Sequence, residues 1–253
     1  MNKKALIVKL HQLGIRGKVL FLINDFLINR KLTININGVV GNIRECSDVG
    51  LPQGSALSPI LFRIFVMDLV QKLNERDDVT IFKFADDGTI KATAKSSQIC
   101  IETLDTILRE VDSWARKNRM IINCQPNKTE VIAFSTAEQD KNVIPKTFKL
   151  GQSSIKRVQH TKVLGLILDE DLNFNEHYNS ICKKLLASWA TICQYSNRHW
   201  GFKQHVLLQI IKTLWLPKIF YAGHIWLSNK SIKDINSIFY KLMKSTIGAV
   251  YNI

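Results

Sequence analysis

Two adjacent carboxylates stand between two apolar runs in the segment Val79-Thr-Ile-Phe-Lys-Phe-Ala-Asp-Asp-Gly-Thr-Ile-Lys-Ala-Thr-Ala94. The segment predicts a hairpin, with strands over Val79–Phe84 and Thr89–Ala94 on either side of Asp87-Gly88. Asp87-Gly88 predicts a tight turn between them, because glycine tolerates a positive φ. Neighbouring carboxylates repel each other and favour a shared cation, for which oxygen-ligated Mg²⁺ is the natural candidate. Taken alone, the segment is also compatible with an acidic surface turn.

A second polar motif, Leu51-Pro-Gln-Gly-Ser55, lies shortly before the helix start Ser58-Pro59. Serine as N-cap and proline at the first helical position predict a helix that continues to Leu73. The motif combines a rigid proline, an amide, a glycine that permits close backbone approach, and a hydroxyl. Such a set can contact a nucleotide sugar or a template base. A helix-entry loop without a ligand is the alternative.

Apolar periodicity predicts the remaining elements. They are two helices over Ala5–Asn29 broken at Gly14, a strand pair around residues 32–47 turning at Asn37-Gly38, a long helix over Ile101–Trp114, strands over Thr129–Phe134 and Lys162–Leu168, and helices from Asn175 onward. The composition shifts near residue 170 from mixed elements to basic helices. This shift predicts two domains, residues 1–170 and 171–253.

The chain is strongly basic, with a formal net charge of +14, and the charge is unevenly distributed. From Leu172 to the end there are ten lysines and arginines but only two acids, Glu176 and Asp234. Basic side chains that bind phosphates displace the counterions condensed on a nucleic acid, and the release of these ions favours binding. A nucleic acid is therefore the favoured partner. A membrane partner is not favoured, because polar residues and Pro217 interrupt the most apolar stretch, Val206–Ala222.

Neither export nor zinc binding is indicated by the sequence. The N-terminus lacks the pattern of a signal peptide, which predicts an intracellular protein of the cytoplasm, the nucleus or both. Five cysteines are scattered without paired spacing, which argues against zinc and disulfides: Cys46, Cys100, Cys124, Cys182 and Cys193.

Taken in order, these motifs resemble the reverse transcriptases of non-LTR (LINE-type) retrotransposons. The resemblance is carried by the helix Lys4–Ile15, Leu51-Pro-Gln-Gly-Ser55, Ser58-Pro59, Phe84-Ala-Asp-Asp87, Trp114-Ala-Arg-Lys-Asn118, Asn127-Lys-Thr129 and Val163-Leu-Gly-Leu-Ile-Leu-Asp169. It implies an α+β fold: an incomplete right-hand polymerase palm, without its first motif strand and fingers, followed by an α-helical thumb-like region. It also implies an RNA-directed DNA polymerase that uses an RNA template, a DNA primer, dNTPs and Mg²⁺, with Mn²⁺ as a possible substitute.

The same resemblance implies a role for individual residues. Asp86 and Asp87 would be the catalytic, metal-holding carboxylates, and Lys128 would assist the pyrophosphate leaving group. Gln53, Gly54, Ser55 and Ala85 would line the nucleotide and template pocket, and Leu164 and Gly165 would belong to the primer grip. Phosphate contacts are expected from four lysines of the basic region, namely Lys183, Lys184, Lys203 and Lys212.

One family feature has no counterpart in this sequence, which begins at Met1. The family carries another metal-binding aspartate on a strand just before the Lys4–Ile15 helix. Asp25, Asp48 and Asp68 are expected to have solvated or capping roles and not to replace it. The chain alone is therefore expected to polymerise little or not at all. The alternatives are a noncatalytic nucleic-acid-binding remnant and a fragment that does not fold stably.

Overall fold

The computed structural model describes residues 1–28, 30–45, 50–135, 142–194 and 202–246. The chain folds into two compact units, the first formed by Met1–Val131 with Ala137–Arg157 and the second by Ile132–Thr136 with Val158–Ile253. Helices and small sheets occur together, so the predicted α+β class is confirmed. The assignment of residues 1–170 to a palm and 171–253 to a thumb-like region stays a prediction.

The first unit begins with the two predicted helices, α1 (Lys3–Gln12) and α2 (Gly17–Leu27), which are separated where Gly14 adopts a φ of +86°. Four short strands follow: β1 (Lys31–Leu32), β2 (Asn35–Ile36), β3 (Val39–Val40) and β4 (Arg44–Glu45). β2 and β3 pair across Asn37-Gly38, both at positive φ, so the predicted turn is confirmed.

Helix α3 (Ser58–Asn74) packs against α1. Leu6, Leu10, Leu61 and Phe65 of these two helices are buried in one core together with Leu27 of α2. Asp68 of α3 accepts hydrogen bonds from the Lys9 ammonium at 2.8 Å and from the Trp114 indole at 3.0 Å. Asp68 therefore joins α1, α3 and the helix that carries Trp114, whereas Asp48 lies outside the described residues.

The predicted N-cap of α3 is wrong by one residue. Ser58 is already helical and follows the cap residue Leu57. Instead of capping the helix, its hydroxyl donates a hydrogen bond to the Pro52 carbonyl at 2.6 Å. That bond ties the Pro-Gln-Gly-Ser loop to the first turn of α3, since a hydroxyl rotates to suit its partner.

The rest of the first unit is built around a second core. Its elements are β5 (Val79–Phe84), β6 (Asp87–Ala92), α4 (Ser97–Lys117), β7 (Glu130–Val131), β8 (Thr147–Leu150) and β9 (Ser153–Arg157). Leu73, Val79, Ile107, Phe148 and Ile155 are buried together in that core. The hairpin of β8 and β9 was not predicted, and the strand expected over Thr129–Phe134 is confined to Glu130–Val131.

The second unit starts with β10 (His160–Val163) and β11 (Leu166–Asp169), so the single strand predicted over Lys162–Leu168 is wrong. The two strands pair antiparallel around Leu164-Gly165. Helices follow: α5 (Asn175–Gln194), α6 (Gln204–Phe220), α7 (Gly223–Trp226) and α8 (Asn229–Thr246). Their core is centred on Leu185, Ile211 and Trp215.

No helix within the described ranges is long and apolar enough to cross a membrane. The free thiols of Cys100, Cys124 and Cys182 are half-buried. Cys46 and the side chain of Cys193 lie outside the described part of the chain.

Candidate functional site

The two carboxylates lie at the tip of the hairpin formed by β5 and β6. Phe84 pairs with Asp87, so the loop consists of Ala85 and Asp86 alone. Ala85 adopts the positive φ of +51°, and Gly88 lies inside β6 opposite Lys83. The turn predicted at Asp87-Gly88 is therefore wrong by two residues. Asp86 occupies the turn, Asp87 opens the second strand, and both side chains are exposed.

A lysine lies beside this tip. The Lys83 ammonium donates a hydrogen bond to the Asp86 carbonyl at 3.2 Å. It also lies 5.5 Å from the centroid of the Phe62 ring, on helix α3. Burial lowers the pKa of Lys83, while the charges of Asp86 and Asp87 act to raise it. The carboxylates therefore have a fixed positive charge as a neighbour.

The Pro-Gln-Gly-Ser loop leads into α3, and α3 packs against β5. Gln53 and Gly54 are exposed, and Gly54 has a φ of +83° with no atom within 4 Å of the position of a Cβ. The Ser55 hydroxyl oxygen accepts a hydrogen bond from the Leu57 amide at 3.3 Å. The loop thus presents an amide side chain and open backbone to solvent, and one helix connects it to the strand that precedes Asp86.

Lys128 lies in a turn between α4 and β7, with its side chain exposed. Its backbone amide donates to the Gln125 carbonyl at 3.1 Å, and the neighbouring Asn127 has a φ of +64°. The turn is closed further by a hydrogen bond from the Asn127 amide to the Glu130 carboxylate at 3.1 Å. These contacts fix the backbone of the turn and leave the ammonium free to approach a ligand.

The turn at Leu164-Gly165 is held from within the second unit. Both residues have positive φ, +47° and +93°, which is costly for leucine. The Tyr221 hydroxyl donates a hydrogen bond to the Leu164 carbonyl, and a Cβ on Gly165 would lie 3.2 Å from the Tyr221 ring. Tyr221 is thus a positioning residue for this turn, and only its contact across the fold reveals it.

His177 supports the same hairpin from α5. Its side chain is 2% exposed, and its Nδ1 accepts a hydrogen bond from the Ile167 amide at 3.3 Å. The imidazole packs edge-on against Trp226, with ring centroids 4.9 Å apart. Burial and the nearby charges of Lys184 and Lys162 lower the pKa of His177. The ring therefore stays neutral near pH 7, as its acceptor role requires.

The four lysines expected to contact phosphate are all exposed in the second unit. Lys183 and Lys184 lie on α5, Lys212 lies on α6, and Lys203 is the residue before α6. Exposure leaves their ammonium groups available to a polyanion.

The hairpin tip supplies only part of a metal site. Hard divalent cations take six or more oxygen ligands, usually with more than one carboxylate. Asp86 and Asp87 are suitable ligand types, but no group of three or more histidine, cysteine, aspartate or glutamate side chains gathers anywhere in the described ranges. The pair fits a partial ligand set and does not by itself form a complete one.

A family model described as reverse transcriptase (RNA-dependent DNA polymerase) matches residues 2–168 of the 253-residue chain. The chain belongs to this family. The match includes both hairpin tips, the one carrying Asp86 and the one at Leu164-Gly165. RNA-directed DNA polymerase is therefore the enzyme class to which the chain is related.

Three curated relatives place this reverse transcriptase domain more closely. The RNA-directed DNA polymerase from mobile element jockey of Drosophila funebris is 28% identical over 242 residues, which cover 90% of this chain and 25% of the relative. The jockey enzyme of Drosophila melanogaster is 26% identical over 215 residues, which cover 81% of this chain and 22% of the relative. The Pol polyprotein from type-1 retrotransposable element R1 of Bradysia coprophila is 25% identical over 189 residues, which cover 75% of this chain and 18% of the relative. The resemblance to non-LTR retrotransposon enzymes is confirmed, and the chain spans a quarter or less of the length of these relatives.

A side chain at Gly165 should destabilise the Leu164-Gly165 turn of the reverse transcriptase domain. We expect Gly165→Ala to lower the free energy of unfolding by about 2 kcal/mol, because alanine is strained at positive φ and its methyl group meets the Tyr221 ring. Gly14→Ala is the matched control, since Gly14 has a φ of +86° and open space at its Cβ position. It should cost about 1 kcal/mol. Urea denaturation measures both, and equal losses would contradict the Tyr221 contact.

Proposed function

We propose that the chain is part of the polymerase domain of a non-LTR retrotransposon reverse transcriptase, which adds deoxynucleotides to a primer 3′ hydroxyl on an RNA template. The proposal rests on one observation: Asp86 is exposed in a two-residue turn between antiparallel strands, within a chain of this family. In this proposal the first unit forms most of an incomplete right-hand palm, and the helices of the second unit form a thumb-like region.

Asp86 and Asp87 are proposed to contribute ligands for Mg²⁺ or Mn²⁺. When bound, divalent ions stabilise the attacking and leaving oxygens of phosphoryl transfer. The hairpin supports this role because the two-residue loop fixes the backbone beside both carboxylates. The described residues do not complete the ligand set. We therefore assign the pair a binding role and expect the chain alone to extend a primer little or not at all.

The other site residues are assigned by their chemistry and exposure. Gln53, Gly54 and Ser55, with Ala85 beside Asp86, are proposed to contact the incoming nucleotide and the template base. Lys128 is proposed to offset charge on the departing pyrophosphate, a task that suits an exposed ammonium.

The second unit is proposed to hold the nucleic acid. Leu164 and Gly165 would contact the primer end, because their turn is exposed at Leu164 and held by Tyr221. Phosphate contacts are assigned to Lys183, Lys184, Lys203 and Lys212. The partner is then a duplex of RNA template and DNA primer.

The carboxylate assignment predicts that Asp86→Asn removes divalent metal binding. Mn²⁺ titration followed by electron paramagnetic resonance should show a site in the unaltered chain and at least tenfold weaker binding in the variant, because a formal charge and a hard ligand are lost. Asp77→Asn is the matched control, since this exposed aspartate lies before β5, at the far end of the hairpin. Equal weakening by both variants would contradict a specific site.

Primer extension tests the activity of the chain itself. With Mg²⁺ or Mn²⁺, an annealed RNA template and DNA primer, and dNTPs, we expect little or no elongation. Robust synthesis that is lost in Asp86→Asn would overturn the proposed inactivity and leave the polymerase assignment stronger.

A noncatalytic nucleic-acid-binding remnant is the second candidate. The exposed lysines of the second unit and the partial carboxylate set favour it. Binding of an RNA–DNA hybrid over a salt series separates the two candidates from a chain that binds nothing. If the hybrid binds and Mn²⁺ does not, the remnant is favoured; if both bind, the polymerase domain is favoured.

A further inference from the structure

The tip of the β5–β6 hairpin contains its own cation. Lys83 pairs with Gly88 across the two strands, and the lysine stem lies close to the glycine. A Cβ on Gly88 would lie 3.4 Å from the Lys83 Cδ and 3.7 Å from its Nζ. The stem therefore lies over the glycine, and the ammonium reaches forward to the Asp86 carbonyl at 3.2 Å.

Two further contacts keep the ammonium at this place. The face of the Phe62 ring lies 5.5 Å away and attracts a positive charge. Burial lowers the pKa of Lys83, and the nearby charges of Asp86 and Asp87 oppose that shift. The hydrogen bond to the Asp86 carbonyl and the contact with the Phe62 ring thus place an ammonium beside the two carboxylates.

We propose that the Lys83 ammonium competes with divalent cations for the Asp86–Asp87 pair and so weakens metal binding at the hairpin tip. The inference rests on the proposed function, in which this pair binds Mg²⁺ or Mn²⁺. A neighbouring positive charge repels a divalent ion twice as strongly as it repels a monovalent one. Lys83 thus sets the concentration of metal at which the pair becomes occupied.

The position of Lys83 distinguishes it from other lysines of the hairpin. Lys91 lies on β6 opposite Thr80, and its side chain is exposed. It lies four positions beyond Asp87, so about 13 Å of extended strand lies between them. At that distance salt screens most of its effect, since the Debye length is about 8 to 10 Å at physiological ionic strength. Lys91 therefore provides a control with the same change in charge.

The test measures Mn²⁺ affinity by electron paramagnetic resonance of the free ion, without nucleic acid or dNTP. Lys83→Met keeps the apolar stem over Gly88 and removes the charge. We expect its dissociation constant for Mn²⁺ to fall about tenfold. Lys91→Met should change the constant by less than about twofold, and Lys83→Arg, which keeps the charge, should bind as the unaltered chain does.

Each outcome decides the question. Tighter binding in Lys83→Met alone, or binding that appears only in that variant, supports the competition. Unchanged or weaker binding in Lys83→Met overturns it, as does an equal gain in Lys91→Met.

The same measurements separate this inference from the proposed function. If the unaltered chain binds Mn²⁺, Asp86→Asn does not bind it and Lys83→Met binds it as well as the unaltered chain, the proposed function stands and only the role of Lys83 fails. If neither the unaltered chain nor Lys83→Met binds Mn²⁺, the metal assignment fails too. Circular dichroism confirms that each variant is folded, and Lys83→Gln replaces Lys83→Met if the latter is not.

Discussion

Replacing four exposed lysines of the second unit by glutamine should weaken binding of an RNA–DNA hybrid about a thousandfold at about 0.1 M salt. The variant changes Lys183, Lys184, Lys203 and Lys212. Each ammonium that neutralises a phosphate releases about one condensed counterion, and the gain in entropy grows as the salt concentration falls. The slope of log K against log salt concentration should therefore become shallower by about three to four. Fluorescence anisotropy over a salt series measures both quantities.

A second quadruple variant separates phosphate contacts from net charge. It replaces four exposed lysines of the first unit by glutamine, namely Lys117, Lys146, Lys149 and Lys156. Both variants lower the net charge by the same amount, but none of the second set is assigned a phosphate contact. The control should lose less than about tenfold in affinity, the part that long-range attraction contributes. Equal losses in the two variants would mean that the basic helices are not the binding surface.

The helices could be predicted from the sequence because their apolar spacing agrees with local signals. In α4 the stripe through Ile107 and Val111 faces the core, and Ser96 caps the helix by accepting a hydrogen bond from the Ile99 amide at 3.3 Å. Periodicity identified this helix over Ile101–Trp114, and the cap accounts for its earlier start at Ser97.

The turn at the hairpin tip could not be predicted in this way. The local preference of Asp-Gly for a turn and the pairing of the apolar residues across the two strands favour turns at different positions. A two-residue turn at Asp87-Gly88 would pair Ile81 with Ala94. The observed register instead pairs Ile81 with Ile90 and Val79 with Ala92, which joins half-buried and buried side chains on the core-facing side. Burial of these residues outweighs the strain of Ala85 at positive φ. Once the register is fixed, Asp86 lies in the turn and Lys83 faces Gly88.

Some short strands, and contacts between residues far apart in the sequence, could not be predicted either. β10 and β11 lie where a single strand was predicted over Lys162–Leu168. β8 and β9 were missed, because they have only four and five residues and carry threonine, serine, lysine or arginine around few apolar positions. Such segments resemble polar loops until partners are known. The roles of Tyr221 and His177 depend on their contacts with the Leu164 carbonyl and the Ile167 amide. Neither contact has a local sequence signal.

Truncating Trp215 should remove more stability than any other change considered for the second unit. Its side chain is fully buried, packs edge-on against Phe239 at 5.7 Å, and donates a hydrogen bond to the Ser188 hydroxyl at 2.8 Å. We expect Trp215→Ala to lower the free energy of unfolding by about 3 to 5 kcal/mol, because it loses apolar contacts and leaves a cavity. Urea denaturation followed by circular dichroism measures this loss, with hydrogen exchange of α5 and α6 amides locating it.

Two further variants, at Trp215 and at the neighbouring Leu214, separate the loss of the hydrogen bond from the loss of buried apolar contacts. Trp215→Phe keeps an aromatic ring but leaves the Ser188 hydroxyl without its donor, so it should cost about 1 to 2 kcal/mol. Leu214→Ala removes a neighbouring side chain that is 44% exposed, and it should cost about 1 kcal/mol or less. If Trp215→Ala costs no more than Leu214→Ala, the indole does not fill the core of the second unit. The helices that carry the proposed phosphate contacts would then be held together by other residues.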